Sequence, residues 1–185
     1  MTQETGPRRP RRTDPQRRDR IIDATIDVVA DRGVAGTTVR RIAAAADVSL
    51  GSLTYHFDGL DGLFFLAFER VSQQGHTVFE AVLAQPGLDP REGVARIIEG
   101  LVSGDTRDLV LMVELYSLAL RRPEYRVLTQ GLMEASRTTL ARYFDAAQVP
   151  FVDAFIEGAT LHAALSTRPY DAVGMRAAIA QLTPA

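Results

Sequence analysis

The sequence predicts an all-α protein: an N-terminal three-helix helix-turn-helix unit followed by an all-helical bundle. Three observations carry that expectation. Helix starts and stops recur along the chain, no stretch alternates with the period of a strand, and two short apolar-patterned segments are joined by the tight turn Asp47-Val48-Ser49.

Composition narrows the function classes. The 185 residues, 46% apolar, suffice for one or two small domains with a real core. The absence of cysteine excludes disulfides and thiolate metal sites and fits a reducing cytoplasm. No apolar run approaches the roughly 20 residues of a membrane span, and residues 1–20 lack the apolar centre of a signal peptide. A cytoplasmic protein without membrane partners is expected. The net charge of −2 hides an asymmetry: residues 1–57 hold ten Arg against seven acids, the remainder eleven Arg against sixteen. Arg8, Arg9, Arg11 and Arg12, interrupted by Pro10, read as a disordered arm over residues 1–14.

The first helix is expected over residues 15–32, with Asp14 as cap, Pro15 at the first position and Gly33 as terminator. Ile21, Ile22, Ala24, Ile26, Val28 and Val29 form its apolar stripe. A short second helix follows Thr38, with Val39, Ile42, Ala43 and Ala46 inward and Arg40 and Arg41 outward. Ser49 caps a third helix of about two turns ending at His56 or Phe57. Asp58 and Gly59 break the chain before a long apolar helix over residues 60–84. Asp89-Pro90-Arg91-Glu92 starts the next helix, and residues 106–122 form a nearly all-round apolar one interrupted by Glu114. Pro123 opens a helix to about Ala147, and residues 152–166 and 171–182 supply the last two. The domain division is therefore 15–59 and 60–185.

In a helix-turn-helix, the second of the paired helices enters the major groove, so its outward face needs small or hydrogen-bonding side chains. Ser49, Ser52 and Thr54 suit contacts to bases or phosphates, Gly51 permits close backbone approach, and Tyr55 and His56 reach phosphates from the far end. Leu50 belongs to the same exposed stretch, while Val48, Leu53 and Phe57 anchor the helix inward.

The stretch "GTTVRRIAAAADVSLGSLTYHFDGLDGLFFLAF", residues 36–68, resembles the DNA-binding domain of the TetR family of transcriptional repressors. Thr38, Val39, Ile42, Ala43, Val48, Ser49, Gly51, Leu53, Tyr55, His56 and Phe57 carry the likeness in one register. The resemblance implies that Arg40 reads a base, that Thr38 binds a phosphate, and that the protein is a repressor released from double-stranded operator DNA by a small-molecule effector. It also implies a homodimer through the two final helices. The chain departs from the family pattern at Thr54, where a first aromatic is usual, at Leu60, where Lys is common, and at Gly59, where Ser often caps.

Within the bundle, Met112, Glu114, Tyr116, Met133, Arg137, Phe155 and His162 are the expected effector-binding residues, mixing soft apolar surface with polar handles. A carboxylate inside an apolar helix must be paired, exposed or available to a ligand, so Glu114 is expected to meet Arg137 or a cationic effector. Ala154, Gly158, Ala159, Ala163 and Ala164, beside Phe155, Ile156 and Leu161, offer a flat face for dimerisation. Enzyme motifs such as GxGxxG, the P-loop, HExxH and GxSxG are missing, and His56, His76 and His162 are too dispersed for a metal site. No enzyme, cofactor or metal is expected. The other class considered is a helical ligand-binding or protein-interaction module without DNA binding, which Thr54 and Leu60 favour.

Overall fold

The computed structural model describes residues 16–184, and among these it holds helices and no strand. In chain order they are α1 (Arg17–Gly36), α2 (Val39–Ala45), α3 (Leu50–His56), α4 (Gly59–Leu83), α5 (Pro90–Ser103), α6 (Thr106–Arg121), a 3-10 turn (Pro123–Tyr125), α7 (Arg126–Leu140), α8 (Val149–Leu165) and α9 (Ala172–Leu182). The expected cap Asp14, Pro15 and the Arg8, Arg9, Arg11 and Arg12 arm lie outside the described residues.

Caps set most of the boundaries. The Thr38 hydroxyl accepts the Arg41 N–H at the start of α2, Asp105 accepts the Arg107 N–H at α6, and Asp171 accepts the Gly174 N–H at α9. Asp89 accepts the Arg91 N–H, with Pro90 in the first turn of α5. Ser49 takes the capping position of α3, but its hydroxyl lies 3.4 Å from Ser52 Oγ and caps no backbone group. Gly59 is not the cap of α4: Asp58 holds that position, and Gly59 adopts φ 68°, a left-handed conformation that a Ser tolerates poorly. The expected long helix after Pro123 divides. A 3-10 turn precedes α7, which stops at Leu140, because Tyr143 and Phe144 turn onto the core and Pro150 belongs in the first turn of a new helix.

Two apolar cores form, and neither respects a boundary at residue 59. The first joins Ile21, Ile22, Ile26 and Val29 of α1, Ile42 of α2, Leu53 of α3 and Leu63, Phe64 and Phe68 of α4 to Leu111, Leu115 and Leu118 of α6. The second gathers Leu83 at the end of α4 with Val94 and Ile98, Val152 and Ile156, and Ile179. Helix α4 thus runs from one core into the other. Burying a side chain such as Leu53 or Phe68 contributes about 1.5–3 kcal/mol, so the short α3 is held by its packing and not by its own propensity.

Ion pairs fix the register between the front helices and the bundle. Arg70 of α4 binds Asp19 and Asp23 of α1, Arg107 of α6 binds Asp27 of α1, and Arg122 binds Asp61 of α4. Their partners are solvent-exposed, so each pair contributes at most about 1 kcal/mol. Among the described residues, no helix is long and apolar enough to cross a membrane.

Candidate functional site

The helix-turn-helix closes through Val48, whose N–H donates to the Ala43 carbonyl at 3.0 Å, while Asp47 takes φ 51° at the turn. Leu53 and Phe57 are buried and Val48 half-buried, so α3 is pinned by one face. Ser49, Leu50 and Gly51 are exposed on the other face, Ser52 is half-buried, and Tyr55 is 84% exposed. A Cβ added at Gly51 meets nothing within 4 Å, leaving room for close approach of another surface. Thr54 and His56 lie on α3, and their side chains are outside the described part of the structure.

The two arginines of α2 differ. Arg41 turns back, its guanidinium donating to the Gly36 carbonyl, whereas Arg40 stands exposed on the outer face. Thr38 is exposed too, although its hydroxyl serves as the α2 cap. Leu60 packs half-buried against the first core, which gives an apolar residue at that position a structural use. Sequence reasoning missed Arg18, whose guanidinium sits 5.7 Å from the centre of the Phe57 ring at the end of α3.

In the bundle, the structure separates the expected effector residues. Glu114 meets neither Arg137 nor an open space: its Oε2 accepts the Val34 N–H at 3.0 Å, and the carboxylate occupies the space left by the missing side chain of Gly33. This corrects the expected pairing. Gly33 has φ 67° and breaks the helical path of α1, exposing the N–H that Glu114 then satisfies. Arg137 donates instead through Nε to Asp153 Oδ2 at 2.8 Å. His162 also stands apart, on the exposed face of α8, and Phe155 packs against the second core.

Tyr116 and Arg137 do come together, around a pair of carboxylates that sequence reasoning passed over. The Tyr116 hydroxyl donates to Glu157 Oε1, four residues after Asp153 on α8. Met112 shares the face of α6 with Tyr116, and Met133 that of α7 with Arg137, each at i, i+4 spacing and half-buried. Burial pushes the Glu157 carboxyl above the usual carboxylate range; Asp153 adds to the rise, while the Tyr116 hydrogen bond and Arg137 oppose it. Burial likewise raises the Tyr116 phenol. The signal was available: Asp153 and Glu157 interrupt an otherwise apolar helix just as Glu114 does.

Two open hollows lie elsewhere. One, of about 430 Å³, is lined by Asp19, Asp23, Arg70, Gln73, Gln74 and Thr77, and one of about 220 Å³ by Asp89, Arg91, Glu92 and Arg176. In both, guanidinium groups already neutralise the acids.

Comparison with known proteins agrees with this arrangement. The profile of bacterial regulatory proteins of the tetR family matches residues 21–67, and that of the BetI-type transcriptional repressor C-terminal region matches residues 90–184. A protein of Streptomyces coelicolor A3(2) is 43% identical, with a TM-score of 0.87 over 92% of this chain and 100% of its own. The multidrug binding protein EbrR has been crystallised with imidazole, proflavin, ethidium and malachite green. In its ethidium complex it is 37% identical, with a TM-score of 0.81 over 91% of this chain and 99% of its own. The HTH-type transcriptional regulator BetI 1 of Chromohalobacter salexigens is 31% identical over 113 residues, 60% of this chain and 56% of that protein, so the match spans little more than half the relative's length. With a profile covering half the chain and a 43% identical structure covering nearly all of it, the chain belongs to the TetR family of bacterial regulatory proteins, which are DNA-binding transcriptional regulators and not enzymes.

Proposed function

We propose that the protein is a cytoplasmic homodimeric repressor that reads a two-fold symmetric operator with α2 and α3 of each subunit and leaves it when a small effector lodges among α6, α7 and α8. The observation that carries the reading is the two-sided character of α3. One face is anchored by Leu53 and Phe57, and the opposite face offers Ser49, Leu50, Gly51 and Tyr55 to a groove. Arg40 is the base reader in this reading, since an outward guanidinium matches guanine O6 and N7. Arg41 and Thr38, engaged at the α1–α2 turn, contact phosphate from there.

Dimerisation rests on the outward stripe of α8, Phe151, Ala154, Gly158, His162 and Leu165, with Phe151 65% and Leu165 74% exposed. Val173, Ala177 and Ala180 continue it on α9. An apolar seam with a glycine and alanines at its centre suits close helix approach by a second copy, and a two-fold DNA site needs two reading heads. The effector is a compact ring-bearing molecule, by likeness to the compounds bound by EbrR.

The test is selection of duplexes by the full chain from a random pool, followed by titration of the selected site at several salt concentrations. Expected are an inverted repeat and a steep loss of affinity with salt. Absence of duplex selection overturns the reading, and a ring compound bound without DNA affinity establishes a ligand-binding module instead.

A further inference from the structure

Asp153, Glu157 and Thr160 follow one another at i, i+4 and i+7 on α8 and therefore share a face. Asp153 is 3% exposed and is answered by Arg137. Glu157 has no cation of its own: one guanidinium faces two carboxylates, and the phenol of Tyr116 is the group bonded to Glu157. Thr160, 1% exposed, leaves its hydroxyl without any hydrogen-bond partner. Thr25, Thr37 and Thr183 each donate to the carbonyl four residues back, the ordinary solution for a helical threonine, and Thr160 does not. A buried orphan hydroxyl and an under-neutralised carboxylate on one helix face are both costly in an empty protein. A ligand supplying positive charge and a polar atom removes both costs. The acid-rich hollow at Asp19 and Asp23 differs in kind, because Arg70 and solvent already satisfy it.

We propose that Glu157, Tyr116 and Thr160, backed by the Arg137–Asp153 pair, form a recognition site for a monovalent organic cation bearing an aromatic ring. Glu157 is the counter-ion, and the face of Tyr116 supplies a cation–π and stacking surface. The Thr160 hydroxyl bonds a heteroatom of the ligand, and Met112 and Met133 supply the adaptable apolar wall. Entry of the cation replaces the Tyr116 hydroxyl as the partner of Glu157, so the ligand breaks a tie between α6 and α8. The inference rests on the effector reading above and names the class of molecule that fills that site.

A pH dependence follows. The charged and titratable groups facing Glu157 are Tyr116 from α6, Arg137 from α7 and Asp153 from its own helix. The cation binds ionised Glu157, whose carboxyl lies above the usual range, so affinity is full at high pH and falls as pH drops through that raised value.

Ethidium, a fluorescent quaternary cation whose charge does not titrate, is the probe, and phenanthridine at pH 7.5 is its uncharged counterpart. Both are titrated into the full chain without DNA. Glu157→Gln is expected to weaken ethidium by about tenfold or more while leaving phenanthridine unchanged, as loss of a charge-assisted contact requires. Tyr116→Phe removes the bond that holds the Glu157 carboxyl down, so the pH midpoint of ethidium binding should move up. Failure of the parent to bind ethidium overturns the proposal, as does equal binding by Glu157→Gln or a flat pH profile of the parent. Binding of the selected duplex by the same variants, measured without probe, is expected to match the parent. Loss of duplex binding in the parent itself would instead reject the regulator reading and leave the ethidium result standing.

Discussion

Glu114 Oε2 accepts the backbone N–H of Val34 at 3.0 Å, across eighty residues of sequence, and thereby fastens α6 of the bundle to the end of α1. The bond lies one residue beyond Gly33, the kink that leads through Thr37 and Thr38 into the helix-turn-helix. Thr37 donates to the Gly33 carbonyl and Arg41 to that of Gly36, so the whole turn is held by side chains. Two residues after Glu114 on the same helix, Tyr116 faces the α8 carboxylates. Helix α6 therefore touches both the entrance to the reading head and the candidate effector site.

Glu114→Ala should leave the part-buried Val34 N–H unpaired and destabilise the protein by about 1–3 kcal/mol, whereas Glu114→Gln keeps an acceptor and should lose less than about 1 kcal/mol. Urea denaturation of the two variants decides this. Equal losses would mean that charge, not hydrogen bonding, matters at the kink. Loss of ethidium binding by a well-folded Glu114→Gln would return Glu114 to the effector site.

Gly33→Ala meets two obstacles, φ 67° and a Cβ only 2.7 Å from Glu114 Oε1. The backbone strain alone costs about 1–2 kcal/mol. A lowered Tm, with faster amide exchange at Val34 than at Ile26 in the core of α1, is the expected result. An unchanged melting curve contradicts the tight fit.

Arg40→Ala should cost about 1–3 kcal/mol on the selected duplex and relax preference at one base position per half-site, while Tyr55→Phe should weaken all sequences alike. Fluorescence anisotropy on specific and random duplexes separates the two. Equal loss on both duplexes for Arg40→Ala removes it as a base reader.

For the dimer, Gly158→Arg is the informative variant. A Cβ there meets nothing within 4 Å inside the subunit, whereas Ala159 packs against the second core and its replacement would disturb folding. Sedimentation velocity should find folded monomers with weakened duplex binding. A variant that stays dimeric moves the interface off this stripe.

Glu157→Gln should also raise stability near neutral pH, by on the order of 1 kcal/mol. The sign follows from the raised native carboxyl: the folded state binds the proton more tightly than the unfolded one, so stability falls as pH rises from the ordinary carboxylate range through the raised value. At lower pH, with Glu157 protonated, parent and variant should converge. Thermal melts across that range check it, and parallel curves refute the burial argument.

The sequence by itself determined the helical class, the helix-turn-helix and its inward anchors, because periodicity, caps and turn residues act over a few neighbours and need no knowledge of the rest of the chain. Leu53 and Phe57 inward and Ser49, Leu50 and Gly51 outward were legible for that reason. Tertiary structure decided what long-range geometry alone can assign. Glu114 was recognisable as an anomalous carboxylate, but its partner is a backbone N–H uncovered by a kink eighty residues earlier, which no pattern on α6 encodes. Arg137 was recognisable as a polar handle, yet its mate proved to be Asp153 on α8. The flat small-residue face of that helix likewise divided only on packing. Ile156 and Ala159 turned to the core and Ala154 and Gly158 to solvent, because the direction of α5 and α9 against α8 chooses which side of an all-round apolar helix is covered.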